Sequence, residues 1–339
     1  MAMTLKELGR LAGVHPSTVA RVLNDDPHQR VSEEVRTRIV ALAREHGYQP
    51  NHLARSLRTK RSFVVGTVIP DIANPFFAIL FRGVEDAMAA SGYSVIMANT
   101  DDDVAREQRS IAMLRGRQVD GLLLATARRH DPTIEALAAA EFPFVLVNRH
   151  TDPIRGDAVI PDDHAGAVAA VEHLIALGHR RIAHIAGSDE MSTGHTRRQG
   201  YLDTIKRHHL PADSDLMVPG SYREPGGYAA MRRLLDLPET PTAVFAVNDL
   251  AAAGAIRAIE EAGLQVPRDI SIVGFNDLSA AIGTARLLTT VRLPLYGMGE
   301  AAAERLRARI TGQPVAPEPV VIPVELVVRQ STGPAPVPA

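Results

Sequence analysis

The chain has 339 residues, 45% hydrophobic and 22% charged, a length and balance suited to two or three globular domains. It holds no cysteine, which excludes disulfides and thiolate zinc sites; it also lacks an apolar core behind MAMTLKELGR and any apolar run of about 18 residues, so neither export nor membrane spanning is expected and the cytoplasm is the expected compartment. The net charge of −2 conceals about +5 over residues 1–61 and −7 over the rest, an asymmetry expected to bring only the head to a polyanion.

Residues 4–46 read as three short helices. Thr4-Leu5-Lys6-Glu7 is a capping box: the Thr4 hydroxyl accepts from the Glu7 amide and the Glu7 carboxylate reaches back. Leu5, Leu8, Leu11 and Ala12 follow at helical spacing, and Gly13 suits the turn that ends the helix. Pro16 fits the first position of a second helix, where its missing N–H costs nothing, and Val19, Val22 and Leu23 form that helix's apolar stripe. A polar loop, residues 24–30, leads to a third helix capped by Ser32, with Val35, Ile39 and Leu42 facing inward.

Leu8 to Leu23 has the layout of a helix-turn-helix, a bracing helix followed by one whose start enters the major groove. Arg21 suits bidentate bonding to guanine, Ser17 a base edge or phosphate, Thr18 and the helix N-terminus a phosphate, and Pro16 a thymine methyl. An ordinary three-helix bundle with one surface arginine is the competing reading. Residues 51–57 (NHLARSL) are too few to hold a helix unaided, so a partner would order them. Arg55, Arg58, Lys60 and Arg61 are candidate phosphate contacts there. Leu57 is either a minor-groove wedge or a linker residue packed on the body.

The body alternates apolar strands with amphipathic helices. Strands are expected at 63–69, 93–98, 121–125 and 144–147, then at 181–186, 243–247 and 271–275, with helices such as 78–92 and 250–263 between them. The alternation predicts parallel sheets with helices on both faces, arranged as two Rossmann-like lobes. The Pro-rich tail is expected to be disordered. In chain order, the division is a helix-turn-helix domain at 1–48, a hinge and linker at 49–61, a two-lobed body at 62–330 and a tail at 331–339.

Ligands in open parallel sheets sit beyond the carboxyl ends of the strands. That rule selects Asp71, Asn74, Phe76 and Phe77; Asn99 and Asp101; Asn148 and Arg149; residues 188–197; and Asn248, Asp249, Asn276 and Asp277. Amides, carboxylates and an arginine suit a polyhydroxylated ligand, and the Phe76–Phe77 pair either stacks on a ligand face or packs in the core.

The stretches at 4–24, 31–59, 71–80 (DIANPFFAIL), 117–124, 177–187 and 271–277 (SIVGFND) resemble the lactose-repressor (LacI/GalR) family, in order, from Thr4 to about Arg329. The resemblance implies an all-α helix-turn-helix head with a hinge helix, followed by an α/β two-lobed sensor like the periplasmic binding proteins. The implied activity is dimeric binding to a palindromic operator, usually as a repressor, controlled by a small polar effector. The implied DNA contacts are Thr4, Leu5, His15, Pro16, Ser17, Thr18, Arg21, Asn24, Asn51, Ala54, Arg55, Leu57 and Arg58, with Leu57 intercalating and residues 51–57 as the hinge helix. The candidate effector contacts are Phe76, Phe77, Asn148, Arg149, Thr193, Arg197, Tyr222, Asn248 and Asn276.

This chain departs from the family's pattern at several points. Ala20 and His15 stand where serines are usual, which bears on phosphate contacts. Asn148 and Asn276 stand where aspartate is frequent, which opens a different hydroxyl pattern or an acidic ligand. Met191 replaces the arginine of the purine-binding member. The expected effector is a sugar or sugar derivative, with a purine or another non-sugar as the alternative. The end QSTGPAPVPA carries no leucine heptad, so a homodimer is expected. An enzyme is disfavoured by the absence of GxxxxGK[ST], GxGxxG, HExxH and GxSxG patterns, and no cofactor or metal is expected. A sugar-binding protein without a regulatory role is disfavoured by the basic head.

Overall fold

The computed structural model describes residues 3–23, 31–48, 61–278, 288–316 and 318–336. The chain forms two compact units that divide between Ser62 and Phe63.

In the first unit, α1 (Leu5–Ala12), α2 (Pro16–Leu23) and α3 (Glu33–Glu45) enclose a small core of Leu8, Ala12, Val19, Val22, Ile39 and Ala43. The capping box is complete: Glu7 N–H donates to Thr4 Oγ1 at 3.2 Å, and Thr4 N–H donates to Glu7 Oε2 at 2.8 Å. Gly13 ends α1 in the left-handed region, at φ 69°. Gly9 lies where α2 begins, and a Cβ there would stand 2.9 Å from the Val14 carbonyl oxygen and 3.2 Å from Pro16 N. The expected inward stripe of α1 differs in one place: Leu11 is exposed. Residues 24–30 and 49–60, which include the expected hinge helix, lie outside the described residues.

The second unit consists of two lobes, each built on a six-stranded sheet. The first lobe takes β1 (Val64–Ile69), α4 (Pro75–Ala90), β2 (Ser94–Asn99), α5 (Val104–Gly116), β3 (Gly121–Leu124), α6 (Pro132–Ala139), β4 (Phe144–Val147) and β5 (Asp157–Pro161). The chain then enters the second lobe: α7 (Asp163–Ala176), β6 (Ile182–Ala186), α8 (Ser192–Arg207), β7 (Met217–Pro219), α9 (Glu224–Leu235), β8 (Ala243–Ala246), α10 (Asp249–Glu261), β9 (Ser271–Asn276) and β10 (Thr289–Arg292). It returns for α11 (Leu295–Thr311) and β11 (Val320–Ile322), then crosses again to β12 (Glu325–Val327).

The sheet orders are β11-β5-β4-β3-β1-β2 and β12-β10-β9-β8-β6-β7. Every pairing is parallel except β12 on β10. The central strands GLLL, FVLV and AVFA are buried at every position, as expected of strands covered by helices on both faces. Three crossings between lobes, after β5, β10 and β11, form the waist of the unit.

The tail corrects the expectation of disorder at 331–339. Ser331 to Pro336 is packed on the second lobe, and 337–339 lie outside the described residues. Ile272 N–H donates to Ser331 O at 2.8 Å, Gly333 N–H to Ser271 Oγ at 3.0 Å and Ala335 N–H to Leu177 O at 2.9 Å. His179, fully buried, contacts both Ser271 Oγ and Gly333 O at 3.1 Å. Composition alone reads a Pro-rich segment as unstructured because it makes no ladder of its own; here the lobe supplies the partners.

Candidate functional site

The carboxyl ends of the strands in both lobes face a cleft of about 660 Å³, part of it open to solvent. All nine expected contacts line it: Phe76, Phe77, Asn148, Arg149, Thr193, Arg197, Tyr222, Asn248 and Asn276. Asp71 and Asn74, chosen by the strand-end rule, also line it, as do Pro70, Asp102, Ser221 and Arg223, which sequence reasoning missed. Asp102, Ser221 and Arg223 sit on loops whose approach to the cleft is set by tertiary packing and carries no local signal.

Strand ends and helix starts place these groups. Asn74 caps α4, accepting from Phe76 N–H at 3.1 Å, and Pro75 opens the helix, so Phe76 and Phe77 point inward from its first turn. Their rings meet edge to face at 4.9 Å, and both are buried, so the pair serves the core and the cleft wall together. Asn148 follows β4 at φ 68° and Asn276 ends β9 at φ 107°; asparagine tolerates positive φ better than most residues, a backbone reason for its presence. Asn248 caps α10 through Ala251 N–H at 2.8 Å and donates to Tyr222 O at 2.9 Å, which fixes its amide orientation.

Arg197 is the anchor of the second-lobe wall. It is 2% exposed, gives Nε and Nη2 to Asp163 Oδ1 at 2.8 Å and Nη1 to Val247 O at 2.7 Å, and lies 3.7 Å over the Phe275 ring. Burial raises the Asp163 carboxyl above its usual range, and the Arg197 charge opposes that rise. Two of the five guanidinium N–H groups remain for a ligand. Thr193 Oγ1 and Tyr222 Oη share a hydrogen bond at 3.0 Å, and burial pushes the Tyr222 phenol up.

Among the described residues, three polar groups of the cleft lining are buried and unpartnered, Asn148 Oδ1 and Arg149 Nε on the first lobe and Asn276 Oδ1 on the second, on residues that are 7%, 4% and 6% exposed. Leaving such atoms unpaired is costly, so the cleft is chemically incomplete by itself. The lobes also touch across its rim: Arg223 Nη2 meets Asp71 at 2.9 Å, His150 N–H donates to Ser192 Oγ at 2.9 Å, and Arg129 N–H donates to Glu190 O at 2.9 Å.

The strand-end rule overreaches elsewhere. Asn99 accepts from Ile72 N–H and donates to Asp101, while Asp277 pairs with Arg292 and Arg329, and none of these lines the cleft. Asp249 is fully buried behind it, accepting from Thr290 Oγ1 and Leu278 N–H at 2.5 Å each. Its carboxyl is pushed up to about 7 by burial, against the pull of those hydrogen bonds. Among the described residues, no group of three or more His, Asp or Glu side chains is placed to hold a metal ion.

On the head, Ser17 and Arg21 are exposed on α2, with Pro16 and Thr18 partly so, while Val19 and Val22 face the core. His15 takes over the capping role: its Nδ1 accepts from Ser17 N–H at 3.3 Å and lies 2.8 Å from Ser17 Oγ. Thr4 is exposed and Leu5 partly buried beside the start of α1. Asn24, Asn51, Ala54, Arg55, Leu57 and Arg58 lie outside the described residues.

Comparison with known proteins agrees with both units. Residues 4–51 match the family described as bacterial regulatory proteins, lacI family, and residues 171–332 match the periplasmic binding protein-like domain. The ribose operon repressor of Escherichia coli (strain K12) is 38% identical over 311 residues, 91% of this chain and 93% of that protein. The lac repressor dimer bound to operator and the anti-inducer ONPF superposes with a TM-score of 0.84 at 28% identity, covering 98% of this chain and 100% of that one. A LacI family transcriptional regulator from Enterococcus faecium with bound ribose superposes with a TM-score of 0.70 at 32% identity, over 80% of this chain and 99% of that one. In length, order of domains and fold, the chain belongs to the lacI family of bacterial regulatory proteins.

Proposed function

We propose that the chain is a transcriptional repressor that grips a palindromic operator as a homodimer and is switched by a polyhydroxylated effector seated between the lobes of its second unit. It is read as a binding protein and not an enzyme, acting on DNA in the cytoplasm. The observation that carries the reading is the cleft itself: nine side chains chosen by sequence line one cavity, and three of their polar atoms are buried without a partner. Vicinal hydroxyls supply both the donors and the acceptors that those atoms lack. The head supports the DNA half of the reading, with exposed Ser17 and Arg21 on the second helix of a helix-turn-helix within a basic segment. The lac repressor neighbour is a dimer bound to operator, and the Enterococcus faecium neighbour holds ribose.

A thermal-shift screen of sugars, sugar derivatives and purines on the intact protein tests the effector half. A ligand present at 100 times its dissociation constant adds about 2.7 kcal/mol of stability. Asn276→Gly removes the amide and keeps the backbone free to hold φ 107°, and the shift should vanish while operator binding persists. A screen in which no polyhydroxylated compound shifts the transition, or in which Asn276→Gly shifts it equally, contradicts the assignment.

A further inference from the structure

The three arginines of the cleft differ in how far their charge is answered. Arg197 is held on Asp163 and Val247 inside the second lobe. Arg223 is exposed and makes a single-point pair with Asp71. Arg149 is 4% exposed, yet it gives only Nη1, to Asp102 at 3.0 Å. Its Nε has no partner, and among the described residues none accepts from its Nη2. The guanidinium is braced 5.5 Å from the Tyr222 ring. In a guanidinium, Nε–H and Nη2–H run parallel along one edge, spaced to meet two oxygens of one oxyanion. A buried cation with that edge unanswered is poorly compensated.

Asn148 and Asn276 line the same cavity with unpartnered oxygens, and they bring no negative charge of their own. The acidic residues of the lining, Asp71 and Asp102, are each already engaged with an arginine. We propose that the effector is a polyhydroxylated oxyanion, a sugar acid or a sugar phosphate, whose anionic group docks on the Nε–Nη2 edge of Arg149 and whose hydroxyls are read by Asn148 and Asn276. Asp102 stays on Nη1, so no ion pair has to break on binding. The inference rests on the cleft being the effector site, and it makes Arg149 the residue that selects charge.

Calorimetric titration of the full-length protein with matched probes tests it: D-ribose, D-ribonate and D-ribose 5-phosphate, and D-glucose, D-gluconate and D-glucose 6-phosphate. An oxyanion member should bind roughly tenfold or more tighter than its neutral parent, the scale of a charge-assisted bidentate pair, and the acid and ester arms tell carboxylate from phosphate. Arg149→Gln should erase that preference, costing the oxyanion roughly tenfold or more affinity beyond what it costs the neutral sugar. Arg149→Lys keeps the charge but not the fork, and should recover only part of it. If Arg149→Gln does not fold, the matched pairs on the unaltered protein and on Arg149→Lys still decide. A neutral parent that binds as tightly as its acid and phosphate overturns the oxyanion and leaves the effector site standing. No binding by any of the six overturns both.

Discussion

Arg197 and Asp163 are each nearly sealed from solvent, and Arg197 is the cation that pairs with the buried Asp163 carboxylate. Arg197→Met should destabilise the protein by about 3–5 kcal/mol, because it strands a buried carboxylate, and Arg197→Met with Asp163→Asn together should recover much of the loss. Urea unfolding of the two variants checks this; a single variant that loses under about 1 kcal/mol contradicts the buried pair. Asp249 makes a pH prediction. Its folded value, about 7, lies above the unfolded value of 3.8, so the folded state holds the proton more tightly and this residue's contribution to stability is lost as pH rises from about 4 through 7. Asp249→Asn imitates the protonated form, and it should flatten that part of the profile while keeping a donor for Thr290 and an acceptor for Leu278. Unfolding midpoints across this pH range read the difference, and parallel profiles for the two proteins would refute it. At this scale sequence was informative where a residue's position follows from a strand end, as for Asn148, Arg149 and Asn276. It failed for Asp102, Ser221 and Arg223, which only folded loops bring to the cleft. It also overreached at Asn99 and Asp277, whose polar groups are taken up by neighbours on the same lobe.

Among the elements, the head was legible nearly to the residue, because capping and turn chemistry are local: Thr4, Gly13, Pro16 and Ser32 each sit where their side-chain chemistry predicts. Gly9 went unremarked, since its role is a contact between helices. Gly9→Val would drive side-chain atoms into the Val14 carbonyl and the start of α2. It should weaken operator binding by tenfold or more, on the order of the 1–3 kcal/mol that overpacking costs, and leave effector binding to the second unit unchanged. Paired titrations with operator and with ligand read the two effects separately; equal losses in both would place the damage elsewhere. In the body, the long apolar strands were readable, but β5, β7, β10, β11 and β12 were not. Three of them are only three residues long, and the pairing of β11 and β12 with distant strands defines them more than any periodicity does. The tail was misread for the same reason, as its partners Leu177, Ser271 and Ile272 are remote in sequence.

For the whole molecule, the charge asymmetry between residues 1–61 and the remainder assigns the polyanion to the head, and the cleft assigns the regulator to the body. The body is suited to switching because its lobes meet through few covalent crossings and through rim contacts such as Arg223–Asp71 and Arg129–Glu190, which an opening motion would break. A ligand held by both lobes favours whichever arrangement lets it touch both, and linkage then requires that operator and ligand alter each other's affinity by the same factor. The most direct measurement is the affinity of the full-length protein for its palindromic operator, titrated at fixed salt with the compound that the binding screens identify. The operator dissociation constant should change by about 5–150-fold, the usual span of allosteric coupling, with an equal change in ligand affinity when operator is saturating. An operator affinity that stays constant from zero to saturating ligand would contradict the coupling of cleft to head.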